Sequence, residues 1–317
     1  MGIVQKSKSL LKYGTPGYVV YKSLRNIDMW RRNLGSDYCV IRRKYKKVFG
    51  KYPDLDNPKS LNEKIQWIKL HDHRDEKTVL ADKYLMRNCL IQKFGDEVKP
   101  HLIPLLFSTA DWREITLDNL PDEPFVIKAN HSSQQTKIIH DKSKICIEAL
   151  RQECRAWLNT NFYFHSQEWQ YRDIPRRIVV EKMLQTKTGA IPNDYKLHFF
   201  NGNLEFVYCS IDREGANTRN IYDADWHPLH FSWSSSKRDE NKRGPEIQPP
   251  ASFEQMRHYG QAIAQNYDYV RCDFFDVDGQ MYFGEVTFHH GGGLDVFNPP
   301  EYDLIYGQKL QLTIKRK

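Results

Sequence analysis

The stretch YVRCDFFDVDGQMYFGEVTFHHGGG, residues 269–293, decides how the rest of the chain is read. Two apolar runs flank Asp278-Gly279, a strong local signal for a β-hairpin. A hairpin built only for a core would be apolar on its buried face, yet these strands carry Arg271, Asp273, Glu285 and Thr287. Side chains alternate faces along a strand, so loop length decides what those groups do together. A two-residue Asp278-Gly279 turn pairs Val277 with Gln280 and sends Asp273 and Glu285 to opposite faces. A three-residue loop, Val277-Asp278-Gly279, pairs Asp276 with Gln280, sets Arg271 across from Glu285 and makes Asp273 their same-face neighbour. The second register is expected because it brings all four polar residues together. Two carboxylates at that spacing repel unless a cation lies between them, and magnesium takes one or two carboxylates plus substrate phosphates. The plainer reading is an arginine paired with one acid on a wet sheet face.

Outward from the hairpin, Asp194 to Cys209 reads as a second hairpin about Asn201-Gly202, while Pro124–Lys128 and Arg177–Glu181 read as short strands. Ser60 and Glu63 form a capping box ahead of Leu61, Ile65 and Ile68 at helical spacing. One helix is expected from about Glu76 to Phe94, stopped by Gly95, another from Ser143 to about Asn159, and a third capped by Ser252 before the opening hairpin. Residues 234–251 read as an exposed loop. Helices mixed with antiparallel hairpins predict an α+β fold.

The six cysteines, at 39, 89, 146, 154, 209 and 272, form no C-x-x-C pair, which argues against a disulfide framework or a zinc ribbon and for a reducing compartment. No stretch approaches the roughly 20 apolar residues of a membrane span, so a cytoplasmic location is expected. Charge is uneven: 13 of the 47 Lys and Arg lie in residues 1–51, against only Asp28 and Asp37. This basic arm, interleaved with Leu10, Leu11, Tyr18, Tyr21 and Trp30, suits an anionic polymer or a peripheral place on an anionic membrane surface. A solvated extension packed on the body is the competing reading. Nothing resembling a nucleic-acid recognition element follows, and no nucleic-acid partner is expected.

Four segments in order resemble the ATP-grasp superfamily: Asp82-Lys83; Phe125–Lys128, a strand ending in lysine; Val180–Leu184, a hinge; and Arg271-x-Asp273 with Glu285-x-Thr287. The wording Leu61–Trp67, Lys128–His131, Asn193–Lys196, Tyr222–Trp226 and Gly284–Phe288 is similar to the TupA-like ATP-grasp family, found among capsule and cell-surface polysaccharide genes. The resemblance implies two α+β subdomains gripping ATP. The expected organisation is a basic extension over 1–57, a helical part over 58–120 and subdomains over 121–176 and 177–317.

It also implies chemistry: ATP-dependent amide formation through an acyl phosphate, joining an amino acid or amine to a carboxylate such as a uronic acid of a polysaccharide. In that scheme Lys83 and Lys128 face the nucleotide phosphates, with Asn130, Ser132 and Ser133 of the phosphate loop beside them. Glu181, Lys182, Met183 and Leu184 hold adenine and Asp194 stands where a ribose-binding acid is sought. Asp273, Glu285 and Thr287 hold Mg2+, and Arg271, Lys196 and His131 are the catalytic candidates. The chain departs from the family in Ser132–Lys137, which lacks the usual phosphate-loop glycines, and in Thr287, which replaces an asparagine. Two alternatives follow. Asp276-Val-Asp278 fits the D-x-D element of a metal-dependent glycosyltransferase, and the missing glycines fit a polysaccharide binder that has lost catalysis. The Gly291–Gly293 run is expected to let backbone approach the acceptor substrate.

Overall fold

The computed structural model describes residues 34–133, 135–212, 215–235 and 242–313. Its helices are α1 (Asp37–Phe49), α2 (Leu61–His71), α3 (Asp75–Ala81), α4 (Leu85–Phe94), α5 (Ile147–Leu158), α6 (Tyr163–Ser166), α7 (Phe253–Ala264) and α8 (Glu301–Lys309). Its strands run from β1 (Leu105–Thr109), β2 (Phe125–Ala129), β3 (Thr136–Ile139) and β4 (Ile178–Lys182) to β5 (Asp194–Phe200), β6 (Asn203–Ile211) and β7 (Thr218–Asp223). They continue as β8 (Pro228–Leu229), β9 (Ser232–Ser234), β10 (Tyr269–Val277), β11 (Gln280–Thr287) and β12 (Val296–Asn298).

The α+β fold expected from the sequence is the fold observed. A four-stranded sheet has the order β1-β4-β2-β3, a six-stranded sheet the order β11-β10-β5-β6-β7-β8, and β9 and β12 form a two-stranded ribbon. Every pairing within them is antiparallel. The small sheet takes β1 and β4 from beyond the divisions placed at 121 and 177.

Alternation sorts the side chains. Phe125, Ile127 and Ala129 of β2 join Leu150, Cys154 and Trp157 of α5 in the core under the small sheet, leaving Val126 and Lys128 on the opposite face. On the large sheet Leu197, Phe199, Val207, Val270 and Cys272 pack against Met256 and Ile263 of α7. The other face is covered around Phe206 and Tyr269 by Leu61 and Ile65 of α2, Tyr306 of α8 and Trp233 of the ribbon. Toward β10 and β11 that face carries Lys196, Arg271, Asp273 and Glu285 instead, and there the small sheet stands opposite it.

Three local expectations change. The single helix over 76–94 is broken at Asp82, whose Oδ1 accepts from Tyr84 N at 2.8 Å and Leu85 N at 3.3 Å and so starts α4 anew. Lys83 therefore sits in a turn, its N–H donating to Asn130 O at 3.2 Å. Ser252 precedes α7 without capping it; its Oγ donates 2.6 Å to Asp276 Oδ2. The third concerns the opening hairpin. Its turn has two residues, Asp278 (φ 52°) and Gly279 (φ 92°), with Val277 paired to Gln280. The shared face is restored by a bulge at Gly284, so that Asp273 pairs with Glu285 and Arg271 with Thr287.

Candidate active site

A cavity of about 520 Å³ lies between the two sheets. Val126 and Lys128 of β2, Glu181 of β4 and the Met183-Leu184 connection form one wall. Asp194 and Lys196 of β5, Arg271 and Asp273 of β10 and Glu285 of β11 form the other. Lys83 reaches it from the turn between α3 and α4, Ser133 from the loop before β3, and Ile103, Ile138 and Phe275 supply apolar surface.

Four cations meet four carboxylates here. Lys128 Nζ lies 2.6 Å from Glu181 Oε2, and Lys83 Nζ lies 3.2 Å from Glu285 Oε2 while donating to Ser132 O at 2.8 Å. Lys196 pairs with Asp194 and lies 3.3 Å from Asp273 Oδ2. Arg271 forks onto Asp273, with Nε to Oδ1 at 2.6 Å and Nη2 to Oδ2 at 2.7 Å, and its Nη2 also reaches Glu285 Oε1 at 2.8 Å. Burial opposes ionisation of Glu285, but Lys83, Arg271 and Lys196 more than offset it and hold that carboxyl below the ordinary range. Burial lifts the Asp273 carboxyl above its ordinary range against the pull of Arg271 and Lys196.

Most of the residues expected from the sequence converge on this cavity. Lys182 lines it, half-exposed and 3.2 Å from Glu123, and its neighbour Met183 gives its N–H to Pro124 O at 3.1 Å. Others lie behind the walls. Asn130 is a buried brace: its Nδ2 donates to Asp82 Oδ1 and Pro175 O, both at 2.9 Å, and its Oδ1 accepts from Arg177 N at 2.8 Å. Ser132 is buried and turns its carbonyl to Lys83. His131, expected to be catalytic, is not brought to the cavity; its ring is buried against Asn130 Oδ1 and the carbonyls of Trp157 and Thr160. Thr287 does not line the cavity, its Oγ1 lying 3.4 Å from Glu285 Oε1.

Among the described residues no group of three or more His, Cys, Asp or Glu side chains is arranged to hold a metal by itself. Asp273 and Glu285, paired across β10 and β11, nevertheless fit a magnesium ion that takes its remaining oxygens from phosphate and water.

Two further features lie beside the cavity. His290 Nδ1 accepts from Arg271 Nη1 at 2.8 Å, and its Nε2 lies 3.2 Å from Asp295 Oδ2, so Arg271 is backed by a histidine with a carboxylate beside it. Gly291, Gly292 and Gly293 all adopt positive φ, between 55° and 68°. A Cβ on them would strike Asp295, Ser166 and Gln66 respectively, so the glycines serve internal packing and are not the open approach expected for an acceptor. Gln66 and the buried Lys69 hold this turn through the carbonyls of Gly292 and Gly293, at 2.6–3.0 Å.

No curated protein sequence matches the chain. Among solved structures, D-alanine–D-alanine ligase from Helicobacter pylori superposes with a TM-score of 0.42 and 15% identity over 81% of this chain and 68% of that one. The Bacillus anthracis enzyme does so at 0.38 and 16%, over 66% of this chain and 57% of its own length. Both superpositions are loose, and the assignment rests on sequence. The family model described as TupA-like ATPgrasp matches residues 63–311, which include both sheets and every wall of the cavity, and the chain belongs to that family.

Proposed function

We propose that the chain is an ATP-dependent carboxylate–amine ligase, with the cavity between the sheets as its nucleotide site. The observation that carries this reading is the set of four cations, Lys83, Lys128, Lys196 and Arg271, gathered in one cleft, each held in place by a carboxylate. A triphosphate entering there exchanges those carboxylate partners for phosphate oxygens. Lys83 and Lys128 bind the phosphates, and Lys182 with the Met183-Leu184 backbone lies toward the base. The exchange frees Asp273 and Glu285, assisted by Thr287, to hold magnesium. When bound, the metal neutralises phosphate charge. Arg271 and Lys196 then face the charge that develops as a substrate carboxylate takes the γ-phosphoryl group and an amine displaces phosphate. No protein nucleophile is required; alignment and charge neutralisation do the work. A uronic acid of a cell-surface polysaccharide as the carboxylate, and an amino acid or other amine as its partner, complete the reading.

The glycosyltransferase reading has no support in the hairpin turn. Asp276 takes Ser252 N, Ser252 Oγ and Gly279 N, and Asp278 takes Lys187 N at 2.7 Å, so both acids are engaged in local structure. Turnover decides between ligase and binder. Release of ADP and phosphate only when carboxylate and amine are both present supports the ligase; ATP-independent use of a nucleotide sugar, or no turnover with retained polymer binding, overturns it.

For the basic arm, residues 1–33 lie outside the described residues. Within residues 37–49, α1 buries Val40, Ile41 and Tyr45 on the body, and Lys44 Nζ donates to Phe164 O, His165 O and Gln167 Oε1 at 2.8–3.3 Å. That part of the arm is a packed helix. Contact with an anionic membrane or polymer then falls to the residues before it, and a chain lacking residues 1–33 is expected to lose salt-sensitive vesicle binding while keeping ATP binding.

A further inference from the structure

A second cavity, of about 270 Å³, opens on the large sheet at β7 and β8, with Arg219, His230 and Arg243 at its edge and Tyr208, Phe231 and Ser232 among its walls. It shares a sheet face with the proposed nucleotide site. Register partners point the same way, and the rows Asp194–Ser210–Arg219 and Lys196–Tyr208–Ile221 lead from one cavity to the other. Arg219 is thus two strands from Asp194, about 10 Å at the usual strand spacing.

Among the described residues, no acidic side chain lines this second cavity. The contrast with the first is marked, because there every cation has its carboxylate. Arg219 has only neutral partners among the described residues, Asn217 Oδ1 and Thr218 O. Arg243 contacts His230 and meets Glu246 Oε1 at 3.3 Å. The two arginines are brought to one cavity by backbone pairing: Arg219 N donates to Lys242 O at 2.7 Å, while Asn220 takes Gly244 N at 3.0 Å and donates to Pro245 O at 2.7 Å, binding residues 242–245 along β7. Two arginines line one cavity, only one of them paired with a carboxylate among the described residues, and an oxyanion there would meet both positive charges.

We infer that this cavity binds an anionic group, carboxylate or phosphate, of the acceptor substrate, at a point distinct from the reacting carboxylate. This rests on the ligase reading for the word acceptor. Asp273, on β10, is one strand farther, three strands or about 14 Å from β7, and an anion held that far from the reacting groups describes an extended acceptor and not a single α-amino acid, whose charged groups share one carbon.

The test is a titration with inorganic phosphate and, separately, with glucuronate, on protein whose nucleotide site is filled with magnesium and a non-hydrolysable ATP analogue. Saturable binding is expected, weakened at least about tenfold in Arg219→Gln, Arg243→Gln or their combination, since each charge-assisted pair is worth about 1.5–3 kcal/mol. The stronger of the two arms identifies the oxyanion. Binding that is absent in the wild type, or equal in wild type and double variant, overturns the inference. Thermal melting establishes that the variants are folded. If the ATP analogue itself fails to bind, the ligase reading fails separately, and the portion of anion binding that Arg219→Gln removes still decides whether the second cavity is an anion site.

Discussion

Lys83 and Glu285 meet across the proposed nucleotide cleft, Nζ to Oε2 at 3.2 Å, joining the turn between two helices to the last hairpin although 202 residues separate them. Under the proposed function the contact ties phosphate binding to metal binding: a lysine that turns to phosphate would leave a carboxylate free for a divalent cation. ATP affinity is therefore expected to fall at least about tenfold when divalent cations are chelated, a coupling of ordinary size. Equal nucleotide affinity with and without magnesium, measured by calorimetry, would refute that exchange.

Asp273→Asn and Glu285→Gln are each expected to lower turnover at least about a hundredfold. Their effects on stability differ. Asp273 takes two of the bonds from the buried Arg271, so its neutralisation should cost about 1–3 kcal/mol, and that of the partly exposed Glu285 less. Denaturant melts and initial rates on the same preparations separate the two outcomes, and full activity in both variants would remove the metal assignment.

The bulge at Gly284 keeps Asp273 and Glu285 on one face. A Cβ there would lie 3.1 Å from Asp273 O and 3.1 Å from Phe275 Cε2, and the first of these is backbone that yields little. Gly284→Ala should cost about 1 kcal/mol and reduce turnover more than it reduces ATP binding, because the strand must shift just where the carboxylates pair. Wild-type kcat in this variant would show that the bulge does not set the site.

In the proposed ligase, His290 and Asp295 act only through Arg271. His290 Nδ1 accepts from the guanidinium, which leaves the ring proton on Nε2, 3.2 Å from Asp295 Oδ2. His290→Ala and Asp295→Asn should each lower kcat about tenfold or more while KM for ATP stays within about threefold, with His290→Gln recovering part of the loss. An equal rise in KM with unchanged kcat would instead make these residues part of nucleotide binding.

Lys69 gives a pH signature. Burial pushes its ammonium down to about 7 from 10.5, against the pull of Glu168. Between those values the unfolded chain binds the extra proton, so this group makes stability rise with pH, by at most about 1.4 kcal/mol per pH unit, and the gain is absent below about 7. The stability difference between wild type and Lys69→Met, followed by denaturant unfolding from pH 7 to 9, should therefore grow in favour of the wild type. Parallel curves would show that Lys69 does not titrate in that range.

Local chemistry made several elements readable from the sequence. Asn201-Gly202 accepts the left-handed backbone of a two-residue turn at φ 48° and 84°, and the Ser60–Glu63 box forms with Glu63 N donating to Ser60 Oγ at 3.3 Å. The family resemblance named Lys83, Lys128, Lys196, Arg271, Asp273 and Glu285 as a set, and one cleft collects them. Tertiary structure decided the rest. The hairpin register turned on a bulge whose only local mark is a glycine, and pairing with β5 on the far side of β10 fixes it. His131 looked like a site residue and is a buried brace, while His290 backs the central arginine, because a side chain's partners are set by which strands become neighbours. Sequence spacing encodes the alternation along one strand; only the folded sheet determines what stands across from it.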